Sequence, residues 1–151
     1  MTGINHAVTG ALVAAAFNKP LISIPAALLS HFAADAIPHW NYQVPGGLRL
    51  KHTVMASDLL LSLGLLSILA ATVSATPWLV FAGGLFGILP DTMWWRYFLT
   101  GKPSIVGSPK RLIYRIRQFH FWIQWSESSW GFFVELAWLP LMVWLIYQIS
   151  Y

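Results

Sequence analysis

The sequence predicts an all-α membrane protein: a polytopic helical bundle that forms a single integral membrane domain over residues 1–151. We expect about five membrane-embedded helices and one interfacial amphipathic helix. Three observations predict this class. Hydrophobic residues make up 57% of the chain and charged residues only 9%, which is unlike a soluble domain. The apolar residues fall in long runs separated by Pro, Gly and charge. Nine Trp and five Tyr fit the aromatic belts of membrane proteins.

The predicted helices follow the apolar runs. The third is the clearest span, because about 20 apolar residues cross the hydrocarbon core. The first two are shorter and are separated by the break Asn18-Lys19-Pro20, and short spans cross with tilt or local thinning. Leu89-Pro90-Asp91 marks the end of the fourth helix or a kink in it. The expected ranges are 3–17, 21–37, 52–74, 78–90 and 129–149.

A basic segment after residue 108 predicts the interfacial helix. Ser108 and Pro109 suit a helix start, as N-cap and first-turn residue. The segment that follows, KRLIYRIRQFHFWIQW, mixes Lys and Arg with large apolar residues. Such a helix lies at a lipid surface, where anionic headgroups attract its basic face.

Charge then orients the bundle. Five crossings place the N-terminus, the 38–51 loop and the 91–128 region on one side of the membrane. That side holds eight of the nine basic residues, and the other side holds Lys19. By the positive-inside rule the first side is cytoplasmic, which fits a prokaryotic inner membrane protein. The eight are Arg49, Lys51, Arg96, Lys102, Lys110, Arg111, Arg115 and Arg117.

The stretch LLSHFAADAIPHWN places His31, Asp35 and His39 at intervals of four. Four residues are close to one helical turn, so His31 and Asp35 share a helix face. Pro38 is expected to end the helix and to let His39 bend back toward the same site. In the predicted topology, other helices bring His6, Asp58 and Asp91 to the same leaflet.

A metal ion explains these groups better than ion pairs do, because the apolar helices contain no Lys or Arg to neutralise the carboxylates. The predicted ligands are imidazoles and carboxylates. Such a mixed set suits a divalent ion, zinc first, with manganese or iron as alternatives. Cysteine is absent, which excludes thiolate ligands and favours a catalytic site over a structural one. The candidate ligands at this stage are His6, His31, Asp35, His39, Asp58 and Asp91.

Each of these residues also has a structural interpretation. His31 and Asp35 could be a hydrogen-bonded pair between two helices. His6 could be an ordinary helix-end residue, and Asp91 could cap the next helical segment. These alternatives remain open at the level of sequence.

Glu135 is expected about two turns into the last helix. Its expected partners are Glu127 and His120, both placed near the surface. It therefore stays outside the predicted ligand set.

The motifs NHAVTGA, SHFAADAIPHWN and LPD resemble those of the small YdjM-like proteins, described as membrane-bound metal-dependent hydrolases. The resemblance covers most of residues 4–91. It implies a metal set of His6, His31, Asp35, His39 and Asp91. That family usually has a second acid after Leu-Pro-Asp, where this chain has Thr92 and Met93. Whether one or two ions bind therefore stays open.

We expect a metal-dependent hydrolase that cleaves a phosphoester, either of a lipid headgroup or of a lipid-linked phosphate, at the cytoplasmic leaflet. Asp35 or Asp58 would act as base or orient the reacting groups, although Asp58 could instead pair with His52. Lys51, His52 and Arg96 would hold the phosphate. The expected partners are membrane lipids and the phosphate-bearing substrate, with no nucleic acid and no predicted oligomeric state. The alternative is a non-enzymatic protein, either a metal- or proton-coupled transporter or a membrane adaptor.

Overall fold

The computed structural model describes residues 1–40, 42–94, 99 and 111–151. These residues form α-helices joined by short turns, and within them no β-strand occurs beyond one isolated bridge between His39 and Glu127. Short 3-10 segments follow the fourth and fifth helices, at Leu89–Trp94 and Gln124–Ser126. The predicted all-α class is confirmed. The helices are α1 Gly3–Phe17, α2 Pro20–Asp35, α3 Gly47–Thr72, α4 Pro77–Ile88, α5 Leu112–Ile123 and α6 Gly131–Ser150.

The helix ends follow local chemistry. Asn18 ends α1 in the left-handed conformation, with φ of 47°, which Asn tolerates better than most residues. Pro20 opens α2 and Pro77 opens α4 in the first turn, where proline lacks no needed donor. The main error is at α3, which begins at Gly47 and not near residue 52. The predicted start at Ser108 and Pro109 lies outside the described residues.

Helix α1 is central, because it packs against α2, α3, α4 and α6. Its contact with α4 is a backbone contact between small residues. A Cβ atom added at Gly10 would lie 2.3 Å from the carbonyl oxygen of Gly83, and one added at Gly87 would lie 2.4 Å from that of His6. Close approach through glycine is typical of helix pairs in membranes. The buried apolar core includes Ala7, Val8, Ala11, Leu66, Leu69, Val80, Met142 and Ile146.

Within the described residues, two helices are long and apolar enough to cross a membrane: α3, with 26 residues, and α6, with 20. Only 17% of the most apolar window of each is buried within the chain. The core helix of a soluble protein would be mostly buried, so these outward-facing apolar surfaces favour a lipid environment. The other apolar helices are shorter, with 15 residues in α1, 16 in α2 and 12 in α4. Five crossings and their orientation therefore stay predictions.

Helix α5 is amphipathic, as its sequence predicts. Leu112, Phe121 and Trp122 are exposed on it, and Trp125 is exposed just beyond it. Its buried residue is His120. The helix is present in the structure, and its location at a lipid surface remains a prediction.

Candidate metal centre

Four separate elements bring imidazole and carboxylate groups into one buried cluster. Two groups in the described residues have ligand atoms within 4.8 Å of one another: His6, His31 and Asp91 form the first, and His31, Asp35 and His120 form the second. The side chain of Asp91 is 20% exposed, whereas the other four side chains are fully buried. The contributing elements are α1, α2, the 3-10 segment after α4, and α5.

Asp35 lies at the middle of this cluster. Its Oδ1 atom is 3.0 Å from Nε2 of His6, and its Oδ2 atom is 3.2 Å from Nε2 of His31 and 2.8 Å from Nε2 of His120. The α-amine of Met1 lies 2.6 Å from Oδ1.

His31 is oriented as a metal ligand would be. It lies one turn before Asp35 on α2, as predicted, and its Nδ1 atom donates a hydrogen bond to the Gly87 carbonyl at 2.8 Å. Its Nε2 atom faces the cluster, 3.7 Å from Oδ1 of Asp91. Histidines that bind metal through Nε2 usually donate their other N–H to a carbonyl or carboxylate in this way.

His6 has one buried ring nitrogen without a hydrogen-bond partner among the described residues. Its Nδ1 atom makes no hydrogen bond within that part of the chain, whereas its Nε2 atom lies 3.0 Å from Oδ1 of Asp35. Its ring stacks on that of His31, with centroids 3.8 Å apart. Leaving a buried polar atom such as Nδ1 unpaired costs about 1–3 kcal/mol. A mixed imidazole and carboxylate set suits zinc, manganese or iron, so these residues fit a divalent ion.

Asp58 is placed elsewhere, although it was predicted as a catalytic residue. It accepts a hydrogen bond from the Tyr42 hydroxyl at 2.5 Å and one from the Ile4 backbone N–H at 3.1 Å. Tyr42 in turn accepts the Gly3 backbone N–H at 2.8 Å. Burial, and then the charge of Asp58, raise the pKa of Tyr42 and keep it a donor. Asp58 therefore caps the first turn of α1 and belongs to neither ligand group.

His39 is also outside both ligand groups, and its role at the shared ion site stays a prediction. Its ring is fully buried, with Nδ1 donating to the Ile37 carbonyl at 2.8 Å and Nε2 without a hydrogen-bond partner in the described residues. Burial lowers the pKa of His39, and the positive N-terminal amine lowers it further. Its own carbonyl accepts the Ser128 N–H at 2.9 Å, so His39 ties the end of α2 to the segment before α6.

The predicted phosphate-binding residues that the structure describes lie outside the two ligand groups. Lys51 and His52 lie half-buried in the first turns of α3 and belong to neither ligand group. Arg96 lies outside the described residues.

The prediction that placed His120 near the surface is wrong. His120 is fully buried and contacts Asp35 and His31. The available signal was helical spacing: His120 is four residues after Ile116 and three before Ile123, which puts all three on one face.

The expected partners of Glu135 were wrong as well. Glu135 accepts hydrogen bonds from the backbone N–H and hydroxyl of Thr2, from the Asn5 amide at 2.9 Å and from the Trp40 N–H at 2.8 Å. Glu127 instead accepts the side-chain amide of Gln43 at 3.0 Å. Glu135 therefore joins α6 to the start of α1.

No family model, curated protein or solved structure matches the chain. The resemblance to the YdjM-like proteins therefore stays a prediction that rests on the quoted motifs, and the argument for function rests on the geometry of the cluster.

Proposed function

We propose that the protein is a membrane-embedded, metal-dependent hydrolase that cleaves the phosphoester of a lipid headgroup or a lipid-linked phosphate at the cytoplasmic leaflet. The observation that carries this proposal is the convergence of His6, His31 and Asp91 with Asp35 in a buried cluster. A divalent ion held by such groups supplies Lewis-acid stabilisation of a phosphoryl oxygen and activates water.

Each residue of the cluster has its own role in this proposal. His31 is fixed by the Gly87 carbonyl and presents Nε2 to the cluster. His6, stacked on His31, adds a second imidazole. Asp35 contributes the charge that holds a cation, and Asp91, the most exposed member of the cluster, marks the side from which substrate and water reach it.

One of the predicted roles is revised in this proposal, and another is kept. Asp58 is no longer assigned as base, because its carboxylate is engaged with Tyr42 and the first turn of α1. Lys51, His52 and Arg96 are kept as proposed phosphate-binding residues, because ammonium and guanidinium groups make charge-assisted hydrogen bonds to phosphate.

A groove between α3 and α6 supports a lipid as the substrate. It has a volume of about 350 Å³, and its walls include Val54 and Leu61 from α3 and Phe132 and Leu136 from α6. These are the two helices that are long and apolar enough to cross a membrane. Ile4 and Asn5 also line the groove, which places it beside the helix turn that carries His6. An acyl chain lying in this groove would be held at the level of the cluster.

The test measures bound metal and hydrolysis on the same purified preparation in detergent. Asp35→Asn keeps the shape of the side chain but removes the charge, so bound metal and turnover should fall together. Glu127→Gln is the matched control, because Glu127 is an exposed carboxylate outside the cluster, and it should change neither.

The substrates in this test are a panel of phospholipids and lipid-linked phosphates, with and without chelator. Hydrolysis that survives both chelation and Asp35→Asn would refute the metal mechanism. Metal-dependent uptake into proteoliposomes with no product released from any of these substrates would favour the transporter.

A further inference from the structure

A chain of hydrogen bonds runs from Trp94 through His120 to Asp35. The indole Nε1 atom of Trp94 lies 3.0 Å from Nδ1 of His120, and both residues are buried. An indole N–H can only donate a hydrogen bond. The Nδ1 atom of His120 must therefore be the acceptor, so the ring proton of neutral His120 is on Nε2.

The proton on Nε2 of His120 points into the cluster. This atom lies 2.8 Å from Oδ2 of Asp35 and 3.0 Å from Nε2 of His31. The side-chain amide of Gln124 is 3.4 Å from the same Asp35 oxygen and 3.3 Å from Nε2 of His120. The carboxylate is an acceptor only, so Nε2–H of His120 donates to Asp35.

His31 has the opposite arrangement. Its Nδ1–H donates to the Gly87 carbonyl, so the Nε2 atom of the neutral ring carries a lone pair. A metal ion binds an imidazole nitrogen through that lone pair. His31 can therefore bind an ion through the atom that faces the cluster, whereas His120 cannot do so while Trp94 donates to it.

We infer that His120 is a positioning residue and not a metal ligand: it holds the Asp35 carboxylate by donating Nε2–H, and Trp94 supports the tautomer that permits this. Of the two ligand groups, the one formed by His6, His31 and Asp91 then binds the ion, together with the Asp35 carboxylate that His120 orients. The role of His120 as a positioning residue beside a metal ion rests on the proposed function. The assignment of its tautomer does not.

The direct test reads the tautomers of the histidine rings. Protein with ¹⁵N-labelled histidine, in detergent, gives two-bond ¹H–¹⁵N correlations that distinguish Nδ1–H from Nε2–H rings. We expect His120 to be Nε2–H and His31 to be Nδ1–H, both before and after addition of zinc. A His120 ring that is Nδ1–H in the zinc-loaded protein would overturn the inference. The wild-type protein suffices, so the test does not depend on a variant that folds.

A second test uses conservative rescue. Loss of a hydrogen-bond partner that orients a ligand typically costs about 10–100-fold in metal affinity, so His120→Leu should weaken zinc binding by about that factor. His120→Gln should recover most of the affinity, because the Gln amide supplies an N–H near the position of Nε2. If Gln and Leu weaken binding equally, His120 is a ligand and the inference is wrong.

Trp94→Phe completes this set. It keeps an aromatic ring but removes the N–H that donates to Nδ1 of His120. The ¹⁵N resonance of His120 Nδ1 should therefore shift, while Asp35 still accepts the proton on Nε2. An unchanged His120 spectrum in this variant would contradict the role given to Trp94. If no zinc binds to the wild-type protein, the proposed function fails. The tautomer of His120 in the zinc-free protein still tests whether His120 donates Nε2–H to Asp35.

Discussion

Substitution of Gly87 by alanine tests whether the α1–α4 contact supports the cluster. A Cβ atom at Gly87 would lie 2.4 Å from the His6 carbonyl oxygen, whereas ordinary contact begins at 3.4 Å. The helices would have to separate by about 1 Å, because backbone cannot rotate away as a flexible side chain can. Gly64 in α3 is the matched control, since a Cβ atom there would meet nothing within 4 Å.

The two variants should change stability in opposite directions. Alanine favours a helix over glycine by about 1 kcal/mol, so Gly64→Ala should stabilise the protein by up to that amount. At Gly87 the same gain is outweighed by overpacking, which costs about 1–3 kcal/mol. The cost should lie near the upper end of this range, because the atom that the new methyl group meets is a backbone atom. The expected net loss for Gly87→Ala is about 2 kcal/mol, so the variants should differ by about 3 kcal/mol.

The substitution should also weaken metal binding. The Gly87 carbonyl orients His31, and the atom that the new methyl group would strike belongs to His6. Disturbing such a contact should lower zinc affinity by about 10–100-fold. Reversible unfolding in mixed detergent micelles and zinc titration measure the two effects. Equal stability of the two variants, or unchanged zinc affinity in Gly87→Ala, would refute the reasoning.

The remaining predictions concern stability, pH and topology. Glu135→Gln should lower the unfolding free energy by at least about 1–3 kcal/mol, because an amide cannot accept from every donor now facing the carboxylate. The control Glu127→Gln should change the unfolding free energy by less than about 1 kcal/mol. Equal effects of the two substitutions would contradict this prediction. The pKa of His39 is lowered in the folded protein, so the unfolded protein binds more protons, and stability should fall as pH drops below about 6.5. His39→Asn should reduce that slope in thermal unfolding, and an unchanged slope would count against it. A reporter fused after Tyr151 should read non-cytoplasmic, and a cytoplasmic signal would show that the crossings are miscounted.

The fold was predictable from sequence to the extent that it depends on local signals. The apolar runs and prolines predict the helices, and α1 has the bounds expected of it, Gly3–Phe17. The predicted start of α3, near residue 52, is later than its observed start at Gly47. The charged residues Arg49 and Lys51 indicate a loop in a membrane protein, and they lie in the first turns of the helix. Helix propensity of Arg, Leu and Lys is high, so the chain continues the helix out of its apolar segment.

The site was predictable only where its residues share a helix. The contact between His31 and Asp35 follows from their spacing of four. His120 contacts Asp35 across 85 residues of sequence, and no local pattern specifies such a contact. The basic character of its segment predicted a surface, whereas the helix presents His120 on the buried face.

The prediction of a metal ion from the sequence depends on the premise that every carboxylate in an apolar helix needs a cation. The structure shows a second way to satisfy such a group. Asp58 and Glu135 accept backbone N–H groups from the start of α1, at Ile4 and Thr2, where a helix leaves its first donors unpaired. The positive end of the helix dipole adds to this stabilisation. Neither carboxylate therefore requires an ion.

Asp91 is the acidic residue to which the argument for a metal applies most directly, because its contacts in the cluster are to His31 and His120. Asp35 contacts imidazoles and also the α-amine of Met1. Helix α1 connects the two kinds of carboxylate. Its first turn is held by Asp58 of α3 and Glu135 of α6, and the next turn presents His6 to Asp35. The position of His6 is thus fixed by contacts that do not involve the cluster. A small zinc domain has no such support and unfolds without its metal. Here the contacts of α1 hold His6 in place, so we expect the bundle to fold without an ion.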